Sequence, residues 1–140
     1  MEFVCFINIF YRYGKKLLEK MLADKNISMQ ELIVILVIDK AGGIFQSRLI
    51  KFTGLDKSNL SKFLKSLEDR DLIYREECPD SQGQNTCYLT EQGQALVPYL
   101  KETLDDWKNL ITKDIEEEKI KYFSEVSFDI SKNIFKELED

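Results

Sequence analysis

The sequence predicts a mostly helical chain with one small β-hairpin set near its middle. Three observations carry that expectation. Apolar residues recur with a helical period on both sides of the centre, two short helical segments meet at Thr53-Gly54, and from Leu72 onward the period switches to two. At 140 residues, 44% hydrophobic and 32% charged, the chain is sized for one domain and one core and has a globular composition. The expected organisation is a single domain over 1–140, with helical flanks at 1–27 and 91–140 around a central region at 28–90.

The first helix is read from Phe3, Phe6, Ile7, Phe10, Leu17, Leu18 and Met21, and runs to about Asp24. Ser28, with Glu31 three residues on, signals the N-cap of a second helix that Gly42 and Gly43 close. Its IVILVI run is apolar nearly all round, so it is expected at the centre of the core. That run alone would also suit a strand, but the caps and the length favour helix. QSRLIKF then forms a short helix ending at Thr53-Gly54, where glycine can take the left-handed conformation that turns the chain sharply.

Asp56 caps the next helix, KSNLSKFLKSLEDR. At 100° per residue Leu60, Phe63, Leu64 and Leu67 share one stripe, while Ser58, Lys62, Lys65 and Asp69 point the opposite way. The runs LIYREE and TCYLT that follow are strand-like, and the polar CPDSQGQNTC at 78–87 joins them. By itself that segment could be a metal clip, a redox loop or a hairpin tip. Two thiolates without further ligands make a poor metal site, and Cys78 and Cys87 are expected near each other across the hairpin base without forming a redox pair. The hairpin tip is the expected role. TEQGQALVPYLKETLDDWKNLI is a long helix with a kink expected at Pro98, and the tail carries Ile120, Phe123, Ile130, Ile134, Phe135 and Leu138 on a further helix.

Charge narrows the function. The net charge is −5, yet residues 1–43 sum to +1, 44–90 to 0 and 91–140 to −6, and residues 44–67 hold Arg48, Lys51, Lys57, Lys62 and Lys65 against Asp56 alone. That local excess is the one basic patch of consequence. The chain has no histidine, which excludes Ser-His and Cys-His nucleophiles, HExxH metal sites and Cys/His zinc sites. There is also no glycine-rich phosphate loop, so no enzyme activity, catalytic residue, cofactor or metal is expected. The longest apolar run, LIVILVI, is far short of the ~20 residues a bilayer span needs. FVCFINIF lacks the features of a cleavable signal. A cytoplasmic location with three reduced cysteines is the expectation, with no membrane partner.

Helix, sharp turn and helix is the arrangement that lays a second helix in the DNA major groove, and a β-hairpin directly after it makes a winged helix. GLDKSNLSKFLKSLEDRDLIYRE, CPDSQGQN and CYLTEQGQALV together resemble the central motif of the MarR family of transcriptional regulators, over roughly residues 28–112. Ser58, Ser61 and Lys62 match the family's early recognition-helix pattern, and Leu67 and Glu68 its late leucine-glutamate pair. Ile73, Tyr74 and Arg75 match the strand start, and Leu89, Thr90, Glu91 and Gly93 the following helix start.

The resemblance implies a winged helix-turn-helix with N- and C-terminal dimerisation helices, binding double-stranded DNA as a homodimer on a pseudo-palindrome. The expected DNA contacts are Gln46, Arg48, Lys57, Ser58, Asn59, Ser61, Lys62, Lys65, Arg75, Gln82 and Gln84. It also implies a pocket for a small-molecule effector, with Phe10, Tyr13, Leu17, Met29, Ile33 and Trp107 as lining, though each also suits plain core. Cys5 invites comparison with the family's peroxide sensors, but the second helix lacks the tyrosines of that branch, and an inert, buried Cys5 is expected. Two departures stand out: Asp71 sits where glycine is common, and the wing carries Gln82 and Gln84 in place of its arginines. The rival expectation is an interaction protein, a winged helix with weakened DNA affinity acting through a protein partner.

Overall fold

The structure is a computed structural model that describes residues 1–81 and 83–139, without the side chain of Ser81. The expected contact residue Gln82 lies outside the described residues. The chain divides into two compact units, Met1–Trp107 and Lys108–Asp140.

In the first unit, α1 (Phe3–Ile9), a π-helical turn at Phe10–Gly14 and α2 (Lys15–Met21) follow one another directly. The expected first helix therefore contains a wider turn and stops short of Asp24, because Ala23–Lys25 tightens into a 3-10 turn closed by Asn26 in the left-handed conformation. Ser28 and Glu31 form a complete capping box on α3 (Met29–Ala41), and Gly42 ends it at φ 67°. Leu32, Val34, Ile35 and Ile38 of α3 are all buried. The IVILVI run is thus helical, and its apolar residues on several sides reflect a central place in the core.

Ile44–Phe45 is a short strand, β1, that the sequence reading did not contain. Two residues carry no period, so only pairing could reveal it. Next come a 3-10 turn at Gln46–Leu49, α4 (Ile50–Thr53) and Gly54 at φ 68°. The first helix of the pair therefore spans the expected residues but is wound as a tighter 3-10 turn over its first half. Asp56 caps α5 (Lys57–Asp69) through the Asn59 backbone N–H at 2.8 Å. Asp71 does adopt the left-handed conformation, at φ 57°.

The hairpin is β2 (Ile73–Glu77) and β3 (Asn85–Leu89), and β1 completes an antiparallel sheet in the order β1-β3-β2. Ile73 pairs with Leu89 and Arg75 with Cys87, while Ile44 also faces Cys87. Cys78 sits beyond the last pair, opposite Gln84, to whose carbonyl its backbone N–H donates. The two wing cysteines are therefore not opposite one another. Pairs two apart share a sheet face and adjacent pairs do not, so register keeps Cys87 in the core, and none of the three cysteines is in a disulfide.

α6 (Glu91–Ile111) begins where Thr90 Oγ1 accepts from the Gly93 N–H and donates to the Asp71 carbonyl at 2.6 Å. The helix continues through Pro98. The core of this unit gathers Leu18, Leu22, Leu32, Ile35, Leu49, Leu60, Leu64, Leu67, Ile73, Cys87, Val97 and Leu100. In the second unit, α7 (Glu117–Leu138) buries none of its residues and exposes Tyr122, Phe123, Phe128, Ile134 and Leu138. Among the described residues no helix is long and apolar enough to cross a membrane.

Candidate nucleic-acid interface

Burial decides which face of α5 is available. Leu60, Leu64 and Leu67 are buried, and Phe63 is only half-buried against the core. With one face fixed inward, Lys57, Ser58, Asn59, Lys62 and Lys65 are exposed and Ser61 is half-exposed. Arg48 is exposed on the preceding turn and Gln46 half-exposed beside it. Gln84 is exposed on the wing. The basic and hydroxyl-bearing residues expected at one surface are thus accessible on α5, on the segment leading to it and on the wing.

Their chemistry differs. Lys65 Nζ lies 2.9 Å from Asp69, whose hydrogen bond and negative charge raise the lysine pKa above its ordinary 10.5. That pair is solvent-exposed, so Lys65 stays protonated and can exchange Asp69 for another anion at small cost. Arg48, Lys57 and Lys62 have no ion-pair partner among the described residues. Asn59 donates its side-chain amide to Asp56 Oδ2 at 3.1 Å, so the cap holds this amide rather than leaving it to rotate.

Arg75 departs from the expectation. Its side chain is only 14% exposed and is turned inward, with Nη2 2.6 Å from Glu68 Oε1. Nε donates to the same oxygen at 2.8 Å, and Nη1 donates to Gln46 Oε1 and to Ser61 Oγ, each at 3.2 Å. Arg75 therefore joins β2, α5 and the turn at Gln46–Leu49 rather than standing free as a cation. Glu68, matched to the family motif but not counted as a site residue, is the anchor of this cluster. The signal was available in its spacing, one residue inside the helix end and seven before Arg75, but a sequence does not show which cation a carboxylate meets.

The residues expected to line an effector pocket differ in burial. Phe10 and Tyr13 are exposed at 57% and 63%, whereas Met29, Ile33 and Trp107 are half-buried packing around the core. Leu17 is also half-buried. Trp107 instead spends its indole N–H on the Gly14 carbonyl. A cleft lies elsewhere, lined by Lys25, Ile27, Arg70, Leu72, Leu96 and Tyr99 among others. Cys5 is exposed rather than buried, because α1 buries no residue. No cluster of three metal-ligating side chains occurs among the described residues.

Comparison with known proteins fits this geometry. The family model described as MarR family matches residues 25–82, from the turn before α3 into the wing. The transcriptional regulator SlyA is similar over 99% of this chain and 98% of its own, at 18% identity and a TM-score of 0.86. A mutant MarR from E. coli complexed with operator DNA is similar over 89% of this chain and 90% of its own, at 19% identity and a TM-score of 0.79. NadR in complex with 4-hydroxyphenylacetate is similar over 94% of each chain, at 18% identity and a TM-score of 0.81. The winged helix-turn-helix is thus the part of the chain that is similar to the MarR family, over residues 25–82, and the fold of the whole chain is that of these regulators.

Proposed function

We propose that this protein is a DNA-binding transcriptional regulator, acting as a repressor, that sits as a homodimer on a pseudo-palindromic operator and is released by a small-molecule effector. The observation that carries the reading is the outer face of α5. It follows a glycine turn, it exposes Lys57, Ser58, Lys62 and Lys65, and it is flanked by Arg48 and Gln84. Such a helix, with cations for phosphates and small hydroxyls for base edges, is suited to the major groove. Regulators of this fold include one in complex with operator DNA and one in complex with 4-hydroxyphenylacetate.

Homodimerisation is supported by two separate surfaces. Phe3, Phe6, Ile7, Phe10, Tyr11 and Tyr13 are exposed on the N-terminal helices, and Tyr122, Phe123, Phe128, Ile134 and Leu138 on α7. Apolar surface on this scale signals association. A two-fold dimer would set its recognition helices about 34 Å apart, or about 10 base pairs between half-site centres.

The test is binding to a random-sequence duplex pool by fluorescence anisotropy across a salt titration, with sedimentation of the free protein. Tight binding that weakens steeply with salt supports the reading. A monomer at micromolar concentration would remove the dimer. No binding at low salt would favour the rival, a winged-helix protein acting through a protein partner, which the charge of −6 over residues 91–140 would suit.

A further inference from the structure

We propose that Arg75 is a positioning residue that sets the hydrogen-bond polarity of the DNA face, holding Gln46 and Ser61 so that both present donors. A guanidinium has donors only. Where Nη1 meets the Gln46 amide at 3.2 Å the partner must be its oxygen, which turns the amide NH2 group away from Arg75. The same Nη1 occupies a lone pair of Ser61 Oγ at 3.2 Å, leaving the hydroxyl hydrogen to point elsewhere. Ser124 and Ser131 return their hydroxyls to carbonyls four residues back on α7, whereas Ser61 accepts from Arg75.

Gln and Ser can each donate or accept, so unfixed they would read a groove ambiguously. With their acceptors engaged they favour acceptor-bearing edges, such as guanine N7 and O6, thymine O4 or a phosphate oxygen. Glu68 supplies the reason Arg75 stays inward. Its carboxylate takes both Nε and Nη2, and this planar, charge-assisted contact fixes the fork at 14% exposure. Arg75 on this account adds nothing to phosphate neutralisation. It acts through Gln46 and Ser61.

This inference rests on the DNA-binding reading above, and the experiment separates the two. A duplex selected by the wild type from a random pool is titrated with wild type, Arg75→Lys, Gln46→Ala, Ser61→Ala and the charge-balanced double variant Glu68→Gln/Arg75→Gln. Each is checked for folding by circular dichroism. Arg75→Lys keeps the charge but loses the fork, so discrimination between the selected duplex and its single-base variants should fall roughly tenfold. Gln46→Ala and Ser61→Ala should each lose preference at the same positions. The double variant should keep the wild-type salt slope.

A slope reduced by about 0.9 per protomer in the double variant would make Arg75 a direct phosphate contact and overturn the proposal. Unchanged base preference in Gln46→Ala and Ser61→Ala would overturn it equally, even if Arg75→Lys failed to fold. Absence of any wild-type binding would remove the DNA-binding reading itself and this inference with it.

Discussion

Trp107 donates its indole N–H to the main-chain carbonyl of Gly14 at 2.9 Å, across 93 positions of sequence. The acceptor belongs to the π-helical turn between α1 and α2, and the donor lies on α6. A Cβ on Gly14 would stand 3.5 Å from the ring, an ordinary contact, so the bond rests on the carbonyl and not on the missing side chain. In the wider π turn the usual pattern of helix carbonyl partners is shifted, and the indole supplies one from outside. Trp107→Phe removes the bond and part of the packed ring. We expect a loss of about 1–3 kcal/mol in urea unfolding followed by far-UV circular dichroism, at fixed protein concentration. An unchanged midpoint and slope would show the contact to be dispensable.

Gly93 and Gly42 separate two reasons for glycine. A Cβ on Gly93 would overlap the Leu72 carbonyl oxygen, which already accepts from the Thr90 N–H, so neither backbone can give way without breaking the start of α6. At Gly42 nothing lies within 4 Å and only the φ of 67° opposes a side chain. Gly93→Ala should cost over about 2 kcal/mol, and Gly42→Ala about 1 kcal/mol. Thermal unfolding of the two variants side by side gives the order, and a reversed order would contradict this account of Gly93.

Cys87 is buried between β1 and β2, and burial pushes its thiol from 9.0 up to about 11, with Arg75 pulling weakly the other way. In the unfolded chain the thiol ionises near its ordinary value, so above pH 9 the unfolded state gives up a proton the folded state keeps. Stability should therefore fall as pH rises from about 9 to about 11, and Cys87→Ala should flatten that part of the profile. At pH 8, iodoacetamide should label exposed Cys5 and leave Cys87 untouched until denaturant is added. Peptide mass mapping reads both.

Gln84 is exposed on the wing and carries no charge. Gln84→Arg should steepen the dependence of log K on log salt by about 0.9 per protomer if the wing reaches the phosphate backbone. A slope unchanged by the new charge would place the wing tip away from DNA.

Lys62 offers the complementary loss. It is exposed, and Lys62→Gln should weaken binding to all duplexes alike while making the salt slope shallower by about 0.9 per protomer. Loss confined to one operator sequence would mean that Lys62 reads a base instead.

What was legible in the sequence was whatever short-range chemistry dictates. Ser28 with Glu31, Gly42, Gly54 and Asp56 marked helix ends because caps and left-handed turns depend on the few residues at the end itself. The leucine stripe of α5 showed which side would be buried, and hence which side would carry Lys57, Ser58 and Lys62. β1 was not legible, because two residues become a strand only when β3 lies beside them. Nor was the inward turn of Arg75, which needed Glu68, Gln46 and Ser61 brought together from 29 positions of sequence. By itself the sequence determined the longer helices, the hairpin, their order and the resemblance in the central motif. Only tertiary structure decided that Arg75 faces a carboxylate and that Trp107 meets Gly14, because such pairings depend on packing between distant segments rather than on the spacing of residues along one of them.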